Sequence, residues 1–425
     1  MSLKTTMPFR NITAEGWLNI SMAGLLVFYA VQLLLDIAWN NVCAHLGIDY
    51  CAFWSAGRAA NLSGYASAYN PVILSSLQSA NLPAAAPVLP VSPVAYLPVF
   101  LLPFQILALL QPAVGFWIWT AVNSVCFVAY LRFFNDRLSG SPLPHRLLIM
   151  FSLCLPVYWN FLDGQVNVWL MICIGEFTRH AVSGQRFQSG LWLGGLLLKP
   201  QTLVLLALAL LLQRSIRTLA GLTTSAAALL GGSLALVGTK GAAAVLQVWL
   251  GFARGIPAND VQLMMNWRML ALYFADWFSP MLGLAIAAIG ITLTVVAALY
   301  LWRERLDPGS TRFTVALLGT LAATSMVAWH SNIHMAMILI PPMLILLRPS
   351  QVLKPAARNA WALVPAASYV LAYLLAALTK ASLLPAATGA FLDLVRGASQ
   401  FGVNALILVL ALRYSLRLRP TVAGA

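Results

Sequence analysis

Apolar runs long enough to cross a bilayer alternate with short polar breaks along almost the whole chain. The first extends from Trp17 to about Leu35. The pattern then changes, because residues 37–93 are rich in Ala, Ser, Asn and Pro and form a large first loop. Within it, residues 51–61 can form a short helix with Phe53, Trp54 and Gly57 near one side, and Pro71 to Ser79 can start a second with proline in its first turn. Both are expected along the membrane interface. Further runs cover 94–110, 113–134, 146–161, 166–182, 188–213 and 216–238. A second polar stretch at about 239–280 precedes runs at 281–302, 311–329, 334–347, 360–380 and 399–416. A membrane-spanning helix needs about 20 apolar residues, so the pattern predicts an all-α, polytopic transmembrane bundle of roughly 11–13 spans. The whole of residues 1–425 reads as one domain.

Composition excludes the soluble alternatives. The chain is 61% hydrophobic and 8% charged, with a mean hydropathy of +0.84, whereas soluble domains carry about 25% charged residues. Its formal charge of +14 sits in short clusters at the ends of apolar runs. That placement suits membrane orientation and not a nucleic-acid groove. The five cysteines, Cys43, Cys51, Cys126, Cys154 and Cys173, have no metal-ligand spacing and read as small hydrophobes, with a Cys43–Cys51 disulfide left open. Asn11 and Glu15 precede a long first span, so no cleavable signal is expected.

Basic residues fix an expected orientation, since short loops rich in Lys and Arg stay cytoplasmic. Lys4 and Arg10 place the N-terminus inside. Clusters follow at Arg132, Arg137 and Arg146; Arg179 and Arg186; Arg214 and Arg217; Arg303, Arg305 and Arg312; Arg348, Lys354 and Arg358; and Arg413, Arg417 and Arg419. Keeping all of them inside requires that 94–110, broken by Pro98 and Pro103, is not a full crossing. It also requires 188–213 to turn back near Lys199-Pro200. The rival topology makes both of these full spans and leaves some arginines outside. In the first arrangement Asp49, Gly164 to Asn167, Lys199, the loop around Asn266 and Arg268, and His330 to His334 share the external face. Polar residues that are costly near a bilayer then converge on one site.

Each candidate has a plain reading beside a functional one. Asp49 either takes a proton or caps the helix that begins near Tyr50, with Asp36, Asp163, Asp260 and Asp276 as rival acids, Asp163 the strongest. Lys199, with no other charge between Arg186 and Arg214, either snorkels to the interface or meets a lipid phosphate. Arg58 and Arg268 are suited to a phosphate, and Arg58 could instead pair with Asp49. His330 and His334 would share a face if helical, and without a nearby carboxylate or thiol they suggest hydrogen bonding and no metal. Gln165 and Asn167 could contact sugar hydroxyls or cap a broken helix. Trp54, Tyr65, Tyr69 and Trp267 could stack on a sugar or sit in the aromatic belt.

Five short motifs in order carry a resemblance. They are an acid followed by aromatics and A-G-R (Asp49, Phe53, Trp54, Ala56, Gly57, Arg58); Tyr-x-Pro (Tyr96, Pro98); G-Q-x-N (Gly164, Gln165, Asn167); K-P-Q (Lys199, Pro200, Gln201); and N-x-R (Asn266, Arg268). Over residues 17–350 the chain resembles the polyprenol-phosphate-dependent membrane glycosyltransferases of family 87, which have the GT-C fold and include mycobacterial mannosyltransferases. Two departures stand out: Tyr96-Leu97-Pro98 replaces tyrosine-proline-proline, and His330 to His334 holds no acid.

The resemblance implies inverting transfer of a hexose, often mannose, from a polyprenyl monophosphate to an acceptor hydroxyl. It gives Asp49 the role of catalytic base, and it places Arg58, Lys199, Arg268, His330, His334, Gln165, Asn167 and Asn266 around the donor. Trp54, Tyr69 and Tyr96 would line the site. No cofactor and no metal is expected. The partners would be the lipid-linked donor, a lipid or glycan acceptor and membrane lipids, at the external face of a bacterial cytoplasmic membrane. Glucose, arabinofuranose or amino-arabinose donors are alternatives. From another class, a transporter or flippase would also use broken helices and buried charges, although no internal repeat is evident and the polar residues cluster on one side.

Overall fold

A computed structural model describes residues 14–39, 41–44, 46–81, 92–137, 143, 145–253, 264–348 and 389–417. The expected span at 360–380, and Lys4, Arg10, Asp260, Lys354, Arg358, Arg419 and the side chain of Asp36, lie outside these residues. The protein is all-α, with no named strand among the described residues.

The chain begins with α1 (Ala14–Trp39). The first loop holds α2 (Ile48–Ser63), a 3-10 turn at Tyr65–Tyr69 and α3 (Pro71–Ala80), so both of its expected helices are present. Asn70 caps α3 by accepting from the backbone of Val72 and Ile73, and Pro71 fills the first helical position. The run at 94–110 forms only a 3-10 turn (Pro98–Leu101) and α4 (Leu102–Leu107), too short to cross. It packs against α2. Then come α5 (Pro112–Arg137), α6 (His145–Ser152), α7 (Leu155–Leu162), α8 (Asn167–Val182), α9 (Arg186–Gly194) and α10 (Val204–Leu212). The rest comprises α11 (Ile216–Ala253), α12 (Trp267–Trp277), α13 (Pro280–Tyr300), α14 (Thr311–Val327), a 3-10 segment at Ile333–Leu339, α15 (Ile340–Leu346) and α16 (Gly389–Arg417). The second polar stretch is therefore partly helical. Helix α11 runs on to Ala253 past Gly238, where φ is 63°, and α12 occupies Trp267–Trp277.

Among the described residues, four helices are long and apolar enough to cross a membrane: Pro112–Arg137, Ile216–Gly251, Pro280–Tyr300 and Ala398–Arg417. Shorter apolar helices, among them Leu26–Leu35, Pro200–Leu212 and Thr311–Val327, complete a membrane protein.

The segment 186–212 turns back. Along the α9–α11 seam, Gly221 lies against the Phe187 carbonyl, Gly190 against that of Thr218, and Gly194 against Ser225, so the two helices run in the same direction. Helix α10 ends only a few residues before α11 begins. Both ends of α9–α10 consequently lie at the start of α11, and the broken middle is a tip. Pro200 makes the break, since its ring cannot continue the preceding helix. Nine residues of α9 and four of the 3-10 turn Gly195–Leu198 carry that tip roughly 20 Å inward from the helix start.

The arginine-rich helix ends lie together on the opposite face. Gln213 Nε2 donates to the carbonyls of Trp302 (2.8 Å) and Glu304 (2.7 Å), joining the ends of α10 and α13. Arg303 donates to Ser415 of α16 at 3.3 Å, and Arg348 to the Asn135 carbonyl of α5.

Candidate active site

Asp49 lies in the first turn of α2, where a helix N-terminus favours a negative charge. It does not cap the helix. Gly47 is the N-cap and offers no side chain, while the Asp49 carboxylate turns away to accept from Gln165 Nε2 at Oδ2. The start of α2 is fastened to the turn after α7: Gly47 N–H donates to the Leu162 carbonyl (2.7 Å) and Tyr50 N–H to that of Asp163 (3.0 Å). A Cys43–Cys51 disulfide closes the approach to the helix. These two cysteines are thus a clamp and not the small hydrophobes expected from their scattered spacing; Cys126, Cys154 and Cys173 are free thiols.

The G-Q-x-N motif is a turn that aims an amide at Asp49. Gly164 adopts φ 69°, a left-handed conformation that side chains disfavour, and a Cβ there would run into Tyr50. Gln165 is buried, its backbone N–H bonded to the Asn160 carbonyl at 2.8 Å. Asn167 is fully buried and is held by Asn160, whose Oδ1 accepts from both its backbone and its side-chain nitrogen at 3.0 Å. Asn160 was missed by the sequence reading. Its signal was present, since it is a polar residue inside the apolar run 155–162.

Lys199, at the tip of the α9–α10 hairpin, reaches this cluster buried. Its Nζ donates to Gln165 Oε1 (2.9 Å) and Asn167 Oδ1 (3.1 Å), and lies 3.3 Å from His334 Nε2. Tyr96 OH donates to the same Gln165 Oε1 at 3.3 Å. His334 Nδ1 is 3.9 Å from Asp163 Oδ2. Asp49, Gln165, Asn167, Lys199, His334 and Tyr96 therefore meet, and Asp163 joins them. Burial raises the Asp49 pKa, with the Gln165 amide and the Lys199 ammonium pulling it back. Asp163 is pushed well above the usual carboxylate range by burial and then by the charge of Asp49.

The other predicted residues take outer or supporting places. Arg268 lies over the Trp329 ring, 4.8 Å from its centroid, and Trp329 is 44% exposed. His330 is half-buried beside it, and its carbonyl accepts from Gln201 at 3.3 Å. The two histidines do not share a helix face, because the extended Asn332 separates His330 from the 3-10 segment that carries His334. Asn266 is buried and has its amide engaged. It caps α12 through Met269 N–H (3.0 Å) and donates to the carbonyls of Ala328 (2.8 Å) and Trp329 (3.2 Å). Arg58 follows Asp49 by nine residues on α2, about two and a half turns, which sets it on the opposite side of the helix. Among the described residues no ion pair joins the two, so α2 does not support a pairing of Arg58 with Asp49.

The aromatic residues are mostly scaffold. Trp54 Nε1 donates to the Leu110 carbonyl (3.1 Å) and Tyr69 OH to the Tyr96 carbonyl (2.8 Å). Tyr96 itself reaches the cluster, its ring packed edge-on against Phe53 at 5.0 Å. Trp267 donates to Thr294 at 2.9 Å and Tyr65 to Gln105. Among the rival acids, Asp276 is exposed near the far end of α12.

Asp49, Asp163 and His334 each place one ligand atom within 4.8 Å of the others, a set that could hold a metal ion. The expectation of no carboxylate near the histidines is thereby corrected, because Asp163 comes from a distant turn. The cation the chain itself supplies at this place is the Lys199 ammonium, in contact with His334 Nε2.

The family model for glycosyltransferase family 87 matches residues 95–327, more than half of the chain. No curated protein matches, and no solved structure does.

Proposed function

The chain belongs to glycosyltransferase family 87, and on that premise we propose that it transfers a hexose, mannose first, from a polyprenyl monophosphate to a hydroxyl of a lipid or glycan acceptor, inverting the anomeric carbon. The observation that carries this reading is Asp49, a carboxylate held at Oδ2 by Gln165 where the first loop, the α7–α8 turn, the hairpin tip and the segment after α14 meet. Among the described residues no hydrogen bond reaches its Oδ1, which is the oxygen for the acceptor in this reading. In the reaction the acceptor O–H gives its proton to Asp49 while its oxygen bonds to the anomeric carbon. The bond from that carbon to the phosphate oxygen breaks, and its electron pair leaves with the polyprenyl phosphate. A hydroxyl attacks poorly until its proton has an acceptor. The growing charge on the phosphate falls to Arg268 and His330, beside the exposed Trp329.

The site faces outward from a bacterial cytoplasmic membrane in this reading. Two observations support it: the arginine-rich helix ends lie on the opposite face, and the Cys43–Cys51 disulfide beside the site suits an oxidising compartment.

The test incubates purified protein with polyprenyl-phosphate-mannose and with the glucose, arabinofuranose and amino-arabinose analogues, comparing wild type with Asp49→Asn. Transfer of mannose that disappears in Asp49→Asn is expected. Full transfer by Asp49→Asn together with an inactive Asp163→Asn would move the base to the second acid. Preference for another sugar would replace mannose as the donor.

A further inference from the structure

Lys199 has a partner for every proton it carries. An ammonium has three N–H donors and no acceptor. Here Gln165 Oε1, Asn167 Oδ1 and His334 Nε2 lie at 2.9, 3.1 and 3.3 Å, and the residue is 8% exposed. Because the ammonium can only donate, His334 Nε2 is the acceptor end of that contact, and the ring proton sits on Nδ1, 3.9 Å from Asp163 Oδ2. A lipid phosphate could accept a hydrogen bond from Lys199 only by displacing one of these partners in a buried place.

The amide of Gln165 shows what the ammonium does instead. Its two ends are nearly alike in shape, so its orientation is set by what each end meets. Lys199 can only donate, and Tyr96 OH at 3.3 Å donates to the same atom, so Oε1 must face them. The Nε2 end must then face Asp49, where it donates to Oδ2. Without the ammonium the oxygen end of the amide loses its charged anchor, and the Gln165 side chain can shift and carry the Asp49 carboxylate with it.

We infer that Lys199 is a positioning residue that acts on Asp49 through Gln165, fixing which carboxylate oxygen is open to the acceptor, and that it is not a ligand of the donor phosphate. The K-P-Q motif gains a physical sense from this. Proline breaks the hairpin so that the lysine stands at its tip, and Gln201 fastens the tip to the His330 carbonyl at 3.3 Å. The ammonium also pulls the Asp49 carboxyl down against its burial.

The inference rests on Asp49 being the base, and the experiment separates the two. Lys199→Met, Lys199→Arg, Gln165→Met and Lys199→Met/Gln165→Met are compared for kcat, for its pH profile and for the Kd of polyprenyl phosphate itself. Expected is a fall in kcat of about 100-fold in Lys199→Met, the scale of a small misplacement of a reacting group. Its acid limb should move to higher pH and its Kd for polyprenyl phosphate should stay unchanged, which also shows that the variant is folded. The double variant should be no worse than the poorer single one, because both break one chain of contacts. Lys199→Arg should not rescue, since a planar fork cannot serve three acceptors grouped around one nitrogen. A Kd that weakens in step with kcat/KM, or full activity in Lys199→Arg, overturns the inference and returns Lys199 to the phosphate. Full activity in Asp49→Asn overturns the underlying reading, whatever Lys199 does.

Discussion

The backbone N–H of Tyr50 donates to the carbonyl oxygen of Asp163 across 3.0 Å, docking the helix that carries one acid onto the turn that carries the other. The two carboxyls are neighbours by backbone contact, but their side chains have different partners. Asp49 accepts from Gln165, while Asp163 faces His334 Nδ1 at 3.9 Å. Asp49→Asn should therefore lower kcat by roughly 10²- to 10⁴-fold, the range for loss of a general base. Asp163→Asn keeps a polar group beside His334 and should lower it about tenfold, as expected for misplacing a group one step removed from the chemistry. Initial rates with polyprenyl-phosphate-mannose check both, and an equal loss in the two variants would contradict separate roles.

The pH profile follows from the same pair. A general base works only when deprotonated, so the rate rises with pH through its pKa. Burial raises Asp49 from the ordinary aspartate value, more than Gln165 and Lys199 lower it. The acid limb of kcat should accordingly lie above the range near 4 expected for a free aspartate. Asp163, pushed well above the usual carboxylate range, stays protonated while Asp49 titrates, so Asp163→Asn should leave that limb where it is. Rates measured across the acid range in mixed detergent buffers read both effects.

Much of the site could be read from the sequence because the membrane makes polar residues conspicuous. Lys199 stands alone between Arg186 and Arg214, and a proline follows it, so both the buried charge and the turn-back of the hairpin could be argued before any coordinates. What escaped was pairing over long separations. Asp163 reaches His334 and Asn160 supports Asn167 through a turn whose shape depends on Gly164. Local partners were equally hard to foresee. Asn266, Trp54 and Tyr69 read as ligands in a polar stretch, and in the fold their buried polar atoms are engaged by nearby backbone.

The Cys43–Cys51 disulfide closes an eight-residue separation just ahead of Asp49. Loop-closure entropy for such a short ring corresponds to about 2–3 kcal/mol. Cys51→Ser should lower the melting temperature in detergent. In whole cells a membrane-impermeant maleimide should label Leu62→Cys, a position 60% exposed near the end of α2, if the site face is external. Labelling only after lysis would place that face inside.

Gly57 explains why A-G-R follows the acid. A Cβ at this position would strike the carbonyl of Phe104, and backbone cannot move aside as a flexible side chain can. Gly57→Ala should push α2 from α4 and cost about 1–3 kcal/mol. Gly24 in α1 has open space around its Cβ position, so Gly24→Ala should be neutral or slightly stabilising through helix propensity. Thermal unfolding of the two variants side by side tests the contrast.

Asn266 separates a capping role from a joining role. Its Oδ1 accepts from Met269 N–H at 3.0 Å, and its Nδ2 donates to the carbonyls of Ala328 and Trp329 at 2.8 and 3.2 Å. Asn266→Ala loses both, about 1–2 kcal/mol for the cap alone. It should also raise KM for the donor, because Arg268 and the Trp329–His330 segment lose their common tie. Asn266→Asp retains the capping acceptor but turns a second oxygen toward two carbonyls, in a place 1% exposed where an unpaired charge is costly. If the residue were only a cap, aspartate would restore wild-type stability and KM. The joining role requires Asn266→Asp to be at least as impaired as Asn266→Ala, and melting curves with donor titrations on the two variants decide between them.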